Sequence, residues 1–349
     1  YIHAIIMNIV QEFVDTLPRA IELIQAMCTA IFVEADTSDE TEEPVFRRDM
    51  CMILYFTVLY FCCAWTLRLI ILRPIARLSL SVSGDNRKLE KRTDKSVQSF
   101  LEAIEYGLFS YMGYTIIMQH DWVWPSHQWF GPKTHDGPGS QTSLKFQRKS
   151  FSCFYMFYVA RYSSNLFSVI VVEKHRKDFV QMVAHHICTM ILVLGSYFGG
   201  YGRIGSMIML CMDPADVPLH IAKVIKYMAV DSKEKVVNPT LQVICDIMFV
   251  IFMLVFTFTR LVVFGYLSYS GTFESAARWG GQEMSTGGIY IGMKEHFDTN
   301  VWVCLCALYV LYGLQVFWKS LIAKVLLRIL AGGIADDIRE SDSDVDKND

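Results

Sequence analysis

The chain has 349 residues, of which 53% are hydrophobic and only 19% charged, a balance too apolar for an ordinary soluble protein. Charged side chains gather in short stretches between apolar runs of about 20 residues, the length needed to cross hydrocarbon, so the net charge of -3 says little about partners. Most of the ten cysteines lie inside apolar runs, where Cys acts as a small hydrophobe, and no C-x2-C spacing suggests a zinc site.

Residues 1–49 carry apolar positions at helical spacing and then an acidic stretch from Glu34 to Glu43, which reads as a surface helix and a solvated lumenal loop. Glu12, Asp15 and Glu22 interrupt the first apolar run, against a cleavable signal peptide. The first clear span covers residues 50–72 and exits at Arg73-Pro74 into a basic cytosolic segment that continues to residue 99. Further spans are expected at 100–118, 151–172, 179–198, 203–229, 241–268 and 300–330, about seven in all, so the fold class is an all-α integral membrane protein. The second holds Glu102 and Glu105 and the fifth holds two Asp residues, which makes these the weakest by hydropathy. The tail 331–349 is acidic and has no apolar face, so it is expected to be disordered. Within it Ser341 and Ser343 each precede an Asp by three residues, as acidophilic kinases favour.

Lys and Arg crowd the segments 68–95, 174–177 and 223–235, which should face the cytosol, whereas 119–150, 199–203 and 269–299 are poorer in basic residues. Seven spans then put the amino end in the lumen and the carboxyl end in the cytosol. Trp122, Trp124 and Trp129 read most simply as an interfacial aromatic belt.

Ionisable groups inside a span cost about 2.5 to 3.5 kcal/mol on insertion scales and need a reason. The fourth span carries His185 and His186 side by side, and the fifth carries Asp213 and Asp216, three apart on one helical face. A turn at 199–202 makes the two spans antiparallel neighbours, and His186 and Asp216 each lie 13 residues from its ends, roughly 20 Å at the helical rise. The pairs therefore face each other at one depth, near a helix that Pro214 and Pro218 weaken. The bland alternative is a set of structural hydrogen-bonding groups. With Asp213 and Asp216 expected to orient the pair, His185 or His186 can serve as a general base or as a nucleophile on an activated acyl group. A single zinc on the same four residues is the rival chemistry.

The run from His175 to Tyr227 resembles the Lag1 signature of the ceramide synthases within the TLC (TRAM, Lag1, CLN8) group: a basic RKDF start, an HHxxT pair, an RxG turn and a Dx2D pair. Weaker likeness extends over about residues 50–345, and the Lag1 motif occupies about 175–227. Met212 and Ala215 replace the His and Ser usual beside the Asp pair, and Arg161 stands in the third span where the pattern is apolar. Family members also usually keep an acid near the position of His220.

The resemblance implies a TLC-type helical bundle around a lipid cavity, with a catalytic domain at 100–330. It also implies an endoplasmic-reticulum enzyme that joins a fatty acyl-CoA to a sphingoid base to give ceramide or dihydroceramide. His185, His186, Asp213 and Asp216 would be its catalytic residues. Arg176 and Lys177 could attract the CoA phosphates, though they could equally anchor a helix end, and Tyr162, Asn165 and Arg260 are further candidates for substrate binding. On its own merits Arg260 reads as a structural residue that either balances an intramembrane acid or snorkels. Acyl-CoA would be a substrate, and no cofactor or metal is expected. Partners would be membrane lipids and, as an open alternative, a homo- or heterodimer. The roughly 27 residues between the first two spans are too few for the homeobox-like region of some relatives, so nucleic acid is not expected. The competing reading is a non-catalytic TLC-domain protein that binds or transfers lipid.

Overall fold

A computed structural model describes residues 42–80, 86–130, 149–171, 178–230, 236–280 and 284–330. These residues form helices joined by short turns, and no strand occurs among them beyond an isolated bridge between Val230 and Val236. Helix α1 covers Glu42–Thr66 and runs on through a π-helical turn, Leu67–Leu72, to Arg73–Ser79. It is followed by α2 (Asn86–Ile117), α3 (Lys149–Val171), α4 (Phe179–Phe198), α5 (Gly202–Met212) and α6 (Asp216–Ala229). Helix α7 starts as Pro239–Phe256 and continues through two π-helical turns, Thr257–Val263 and Ser270–Glu274, as far as Trp279. Helices α8 (Thr286–His296) and α9 (Thr299–Leu330) complete the described chain.

Four stretches are long and apolar enough to cross a membrane: Asp49–Ser79, Phe179–Phe198, Pro239–Trp279 and Thr299–Ile329. The other three expected spans are also helical, but they carry the polar groups. The first half of α2 is rich in charge, α3 contains Arg161, and the fifth is divided into α5 and α6. Hydropathy therefore supports four crossings on its own. The amino-terminal segment to residue 41 and the acidic tail lie outside the described residues.

Two segments expected to be loops are largely helical. Residues 73–99 continue α1 and begin α2, tied together where Arg73 meets Glu90 at 2.9 Å and Asp94 at 3.6 Å and where Arg77 also pairs with Glu90. Exposed pairs of this kind contribute about 0 to 1 kcal/mol each. The apolar contact of Leu72 with Val97 and Leu101 beneath them carries more of the packing. Residues 269–299 continue α7 and form α8, whose amino end is capped by Ser285 Oγ accepting from Gly288 N–H at 3.1 Å. Charge and glycine content suggested loops here, but capped ends and cross-helix pairs allow helix.

The turn between α4 and α5 has a definite local cause. Gly200 takes φ 80°, and Tyr201 N–H donates to Ser196 C=O at 2.8 Å, the glycine-dependent C-terminal cap that reverses a chain after a helix. Close approach of α5 to its neighbours then requires Gly205, because a Cβ there would overlap Tyr155 Oη and Ser196 Oγ. Tyr155 fixes the same contact by donating to Gly202 C=O at 2.8 Å.

The tryptophans divide. Trp124 is 69% exposed, as a belt residue should be, whereas Trp129 is 4% exposed and donates its indole N–H to Val123 C=O at 2.9 Å. The belt expectation fails for Trp129 because this indole finds its partner within its own loop and packs into the core.

Candidate active site

The sequence of the fifth span dictates a break. Prolines lack an N–H and cannot complete the helical ladder. With Pro214 and Pro218 four apart, Asp216 N–H bonds back only to Asp213 C=O at 3.1 Å, and α5 ends at Met212 before α6 begins at Asp216. The Met212 carbonyl is taken up from another helix by Arg260, whose Nε lies 3.0 Å away. Arg260 sits in the π-helical turn Thr257–Val263, the kind of irregularity that re-aims a side chain inward. It also pairs with Asp216.

Asp213 has its own arginine. Arg161 Nη2 and Nη1 reach the two carboxylate oxygens at 2.7 and 3.1 Å, and Tyr158 Oη lies 3.4 Å from one of them. The guanidinium is enclosed by the rings of Phe109, Tyr158, Tyr162 and Tyr106, 4.3 to 5.1 Å from their centroids, an aromatic box suited to a desolvated cation. A third paired acid follows on α2: Glu102 Oε2 lies 2.8 Å from His220 Nδ1, and Tyr106 stacks on that imidazole at 5.4 Å.

The two histidines differ. His186 is buried and its Nδ1 lies 2.8 Å from Met182 C=O. A carbonyl only accepts, so Nδ1 carries the proton and Nε2 of the neutral ring is the basic nitrogen. His185 packs edge-on against Trp318 of α9 at 5.4 Å and against His186 at 5.5 Å, and its Nδ1 is buried without a hydrogen-bond partner. The Tyr162 ring lies 6.1 Å from His185 and 5.6 Å from His186. On its other side it carries the Arg161 guanidinium at 4.9 Å, so Tyr162 bridges the histidines and the ion pairs.

This arrangement corrects one expectation. The carboxylates do not orient His185, which has no hydrogen bond to either; they bind Arg161 and Arg260. Two Asp and two Arg within spans are mutually neutralising, which is cheaper in hydrocarbon than leaving either sign to a neutral imidazole. The sequence carried part of this signal in Arg161 and Arg260, each a lone arginine inside an apolar run. Arg260 accordingly balances Asp216, as one of its two structural readings expected, and is not among the residues that line the cavity described below.

His185 and Tyr162 open onto an apolar cavity of about 840 Å³, counting its mouth, between α4, α5 and α9. From His185 the wall follows α4 for roughly 16 Å at the helical rise, past Thr189 and Leu192 to Ser196, and Tyr201, Trp279 and Phe130 also line it. Asn165 is not on this wall; it faces Glu105 of α2. Arg176 and Lys177 lie outside the described residues. Among the described residues no three His, Cys, Asp or Glu side chains are grouped to hold a metal ion. Sequence reasoning missed Trp318 and the placement of Thr189, since a lone Trp and a helix Thr carry no signal without their neighbours.

The TLC domain family matches residues 95–324. The chain is 30% identical over 283 residues to "Ceramide synthase 4" of Homo sapiens, covering 77% of this chain and 62% of that protein. It is 27% identical over 278 residues to "Ceramide synthase LOH1" of Arabidopsis thaliana, covering 77% and 81%. Against "Alternaria stem canker resistance protein 1" of Solanum lycopersicum it is 26% identical over 328 residues, covering 91% and 98%.

Proposed function

The chain belongs to the TLC domain family, and from that membership and the site we propose that it is a ceramide synthase, transferring a fatty acyl group from CoA to the amine of a sphingoid base. The observation that carries the reading is His185, with a buried, unpartnered ring nitrogen, in the wall of an apolar cavity that runs along α4 for roughly 16 Å. The ceramide synthases among its relatives support the reaction type.

In the proposed chemistry the amine nitrogen bonds to the thioester carbon and the carbon–sulfur bond breaks. His185 takes the amine proton and returns it to the departing thiolate. Alternatively, the imidazole first displaces CoA to form an acyl-imidazole, which the amine then resolves. His186 supports the ring beside it through the fixed tautomer set by Met182. Asp213 and Asp216 act as positioning residues: with their arginines they hold the broken fifth helix and Tyr162 against the histidines.

The reading extends to seven crossings, with α2, α3 and the α5–α6 pair as the polar-lined inner spans. The amino end is lumenal, the carboxyl end cytosolic, and the membrane that of the endoplasmic reticulum. Membranes of cells without ceramide synthase activity of their own, supplied with this chain, labelled sphinganine and a panel of acyl-CoAs, should yield labelled dihydroceramide. If no acyl length gives an amide while the protein is present and folded, the enzyme reading fails and a non-catalytic lipid-binding role takes its place.

A further inference from the structure

Thr189 is the one polar group of the HHxxT run to which the chemistry above gives no part. It lies one helical turn beyond His185 on the same face of α4, lines the cavity, and is 8% exposed. Its hydroxyl is buried and has no hydrogen-bond partner. That state is unusual within this protein. A helical Thr normally donates to the carbonyl four residues back, and Thr57, Thr93, Thr115, Thr257, Thr259 and Thr272 all do so at 2.7 to 3.0 Å. Two other wall hydroxyls are committed: Ser196 donates to Val193 C=O and Tyr158 to Asp213. A buried hydroxyl without a partner costs about 1 to 3 kcal/mol, so it calls for an acceptor from outside the protein.

We propose that Thr189 is a catalytic residue that donates a hydrogen bond to the carbonyl oxygen of the acyl group as it is transferred at His185. This rests on the ceramide synthase reading. The spacing suits the task. Side chains four apart on a helix have Cβ atoms about 5 to 6 Å apart. A carbonyl can therefore place its carbon within about 3 Å of the imidazole and its oxygen about 2.7 to 3.1 Å from the hydroxyl. The role is the same in both routes. As the amine or the imidazole adds, the carbonyl oxygen takes the electron pair; it returns the pair as the carbon–sulfur or carbon–imidazole bond breaks. The proton lost by the amine ends on the CoA thiolate or the imidazole, and Thr189 keeps its own. The hydroxyl also fixes where the polar head of the acyl chain stops and the apolar cavity begins.

The test compares Thr189→Val, which removes only the hydroxyl, with Thr189→Ser, which keeps it, in purified full-length protein of confirmed thermal stability. Thr189→Val should lower kcat about 10²- to 10³-fold, as loss of one oxyanion donor does, with KM for acyl-CoA within about threefold. Thr189→Ser should stay within about tenfold of wild type. A Val variant as active as wild type, or a Ser variant as impaired as Val, overturns the role of Thr189 while the wild-type protein still makes amide. A wild-type protein that makes no amide from any acyl-CoA overturns both this role and the reading beneath it.

Discussion

Arg161 of α3 holds Asp213 at the break between α5 and α6 through two hydrogen bonds of 2.7 and 3.1 Å, with each side chain 2% exposed and four aromatic rings around the guanidinium. The pair joins α3 to the break between α5 and α6, and Tyr162, beside Arg161, packs near both histidines. Two buried charges gain little net stability from each other, because the cost of removing them from water offsets most of their attraction. Removing one alone is different.

Arg161→Gln should therefore destabilise the protein by about 3 to 5 kcal/mol by leaving Asp213 charged and unpaired in the interior. The double change Arg161→Met with Asp213→Leu should recover most of that loss, since it leaves no orphan charge. Thermal unfolding in detergent reports both. A double variant no more stable than Arg161→Gln would show that the loss comes from packing within the aromatic box and not from the unpaired carboxylate.

Arg260 serves two acceptors, the Met212 carbonyl freed by the break and the Asp216 carboxylate. Lys offers a point charge without the planar fork and cannot cover both in the same geometry. Arg260→Lys is expected to cost about 1 to 3 kcal/mol, and Arg260→Gln about 3 to 5 kcal/mol by orphaning Asp216. Equal unfolding temperatures for the two variants would place the whole effect in the carbonyl contact.

His185 and His186 should separate by experiment. His185→Ala should remove amide formation by at least about 10³-fold with a smaller loss of stability than His186→Ala, because its ring lines the cavity and its Nδ1 bonds to nothing in the protein. His186→Ala should lower stability as well as turnover, since it deletes a buried ring and the bond to Met182. Intact mass after incubation with acyl-CoA alone separates the two routes. A gain of one acyl group that His185→Ala abolishes marks the acyl-imidazole.

Gly205 lines the cavity where α5 approaches α3 and α4 most closely. Gly205→Ala should cost about 1 to 3 kcal/mol by overpacking, since Tyr155 Oη and Ser196 Oγ occupy the space of a methyl group and are themselves hydrogen-bonded. A shift in unfolding temperature of less than about 2 °C would mean that the helices separate freely there.

The sequence by itself determined the membrane class, because apolar runs of the right length admit few other solutions. It placed a helix over each expected span. It also set the turn at Gly200, which only a residue tolerant of positive φ allows, and the break at Pro214 and Pro218, which follows from the missing N–H groups. It singled out His185, His186, Asp213 and Asp216 as groups that needed a reason to lie in hydrocarbon, and helix arithmetic set them at one depth.

Only the tertiary structure decided which of them belong together. Pairing in low dielectric follows contact and net neutrality, not sequence distance. Asp213 therefore went to Arg161, 52 residues away, and Asp216 to Arg260, 44 residues away, while His185 was left facing an apolar cavity. Thr189 shows the same limit most plainly: its chemistry is written in the sequence, but that its hydroxyl lies buried without a partner while the residue lines the cavity emerges only from the packing around it.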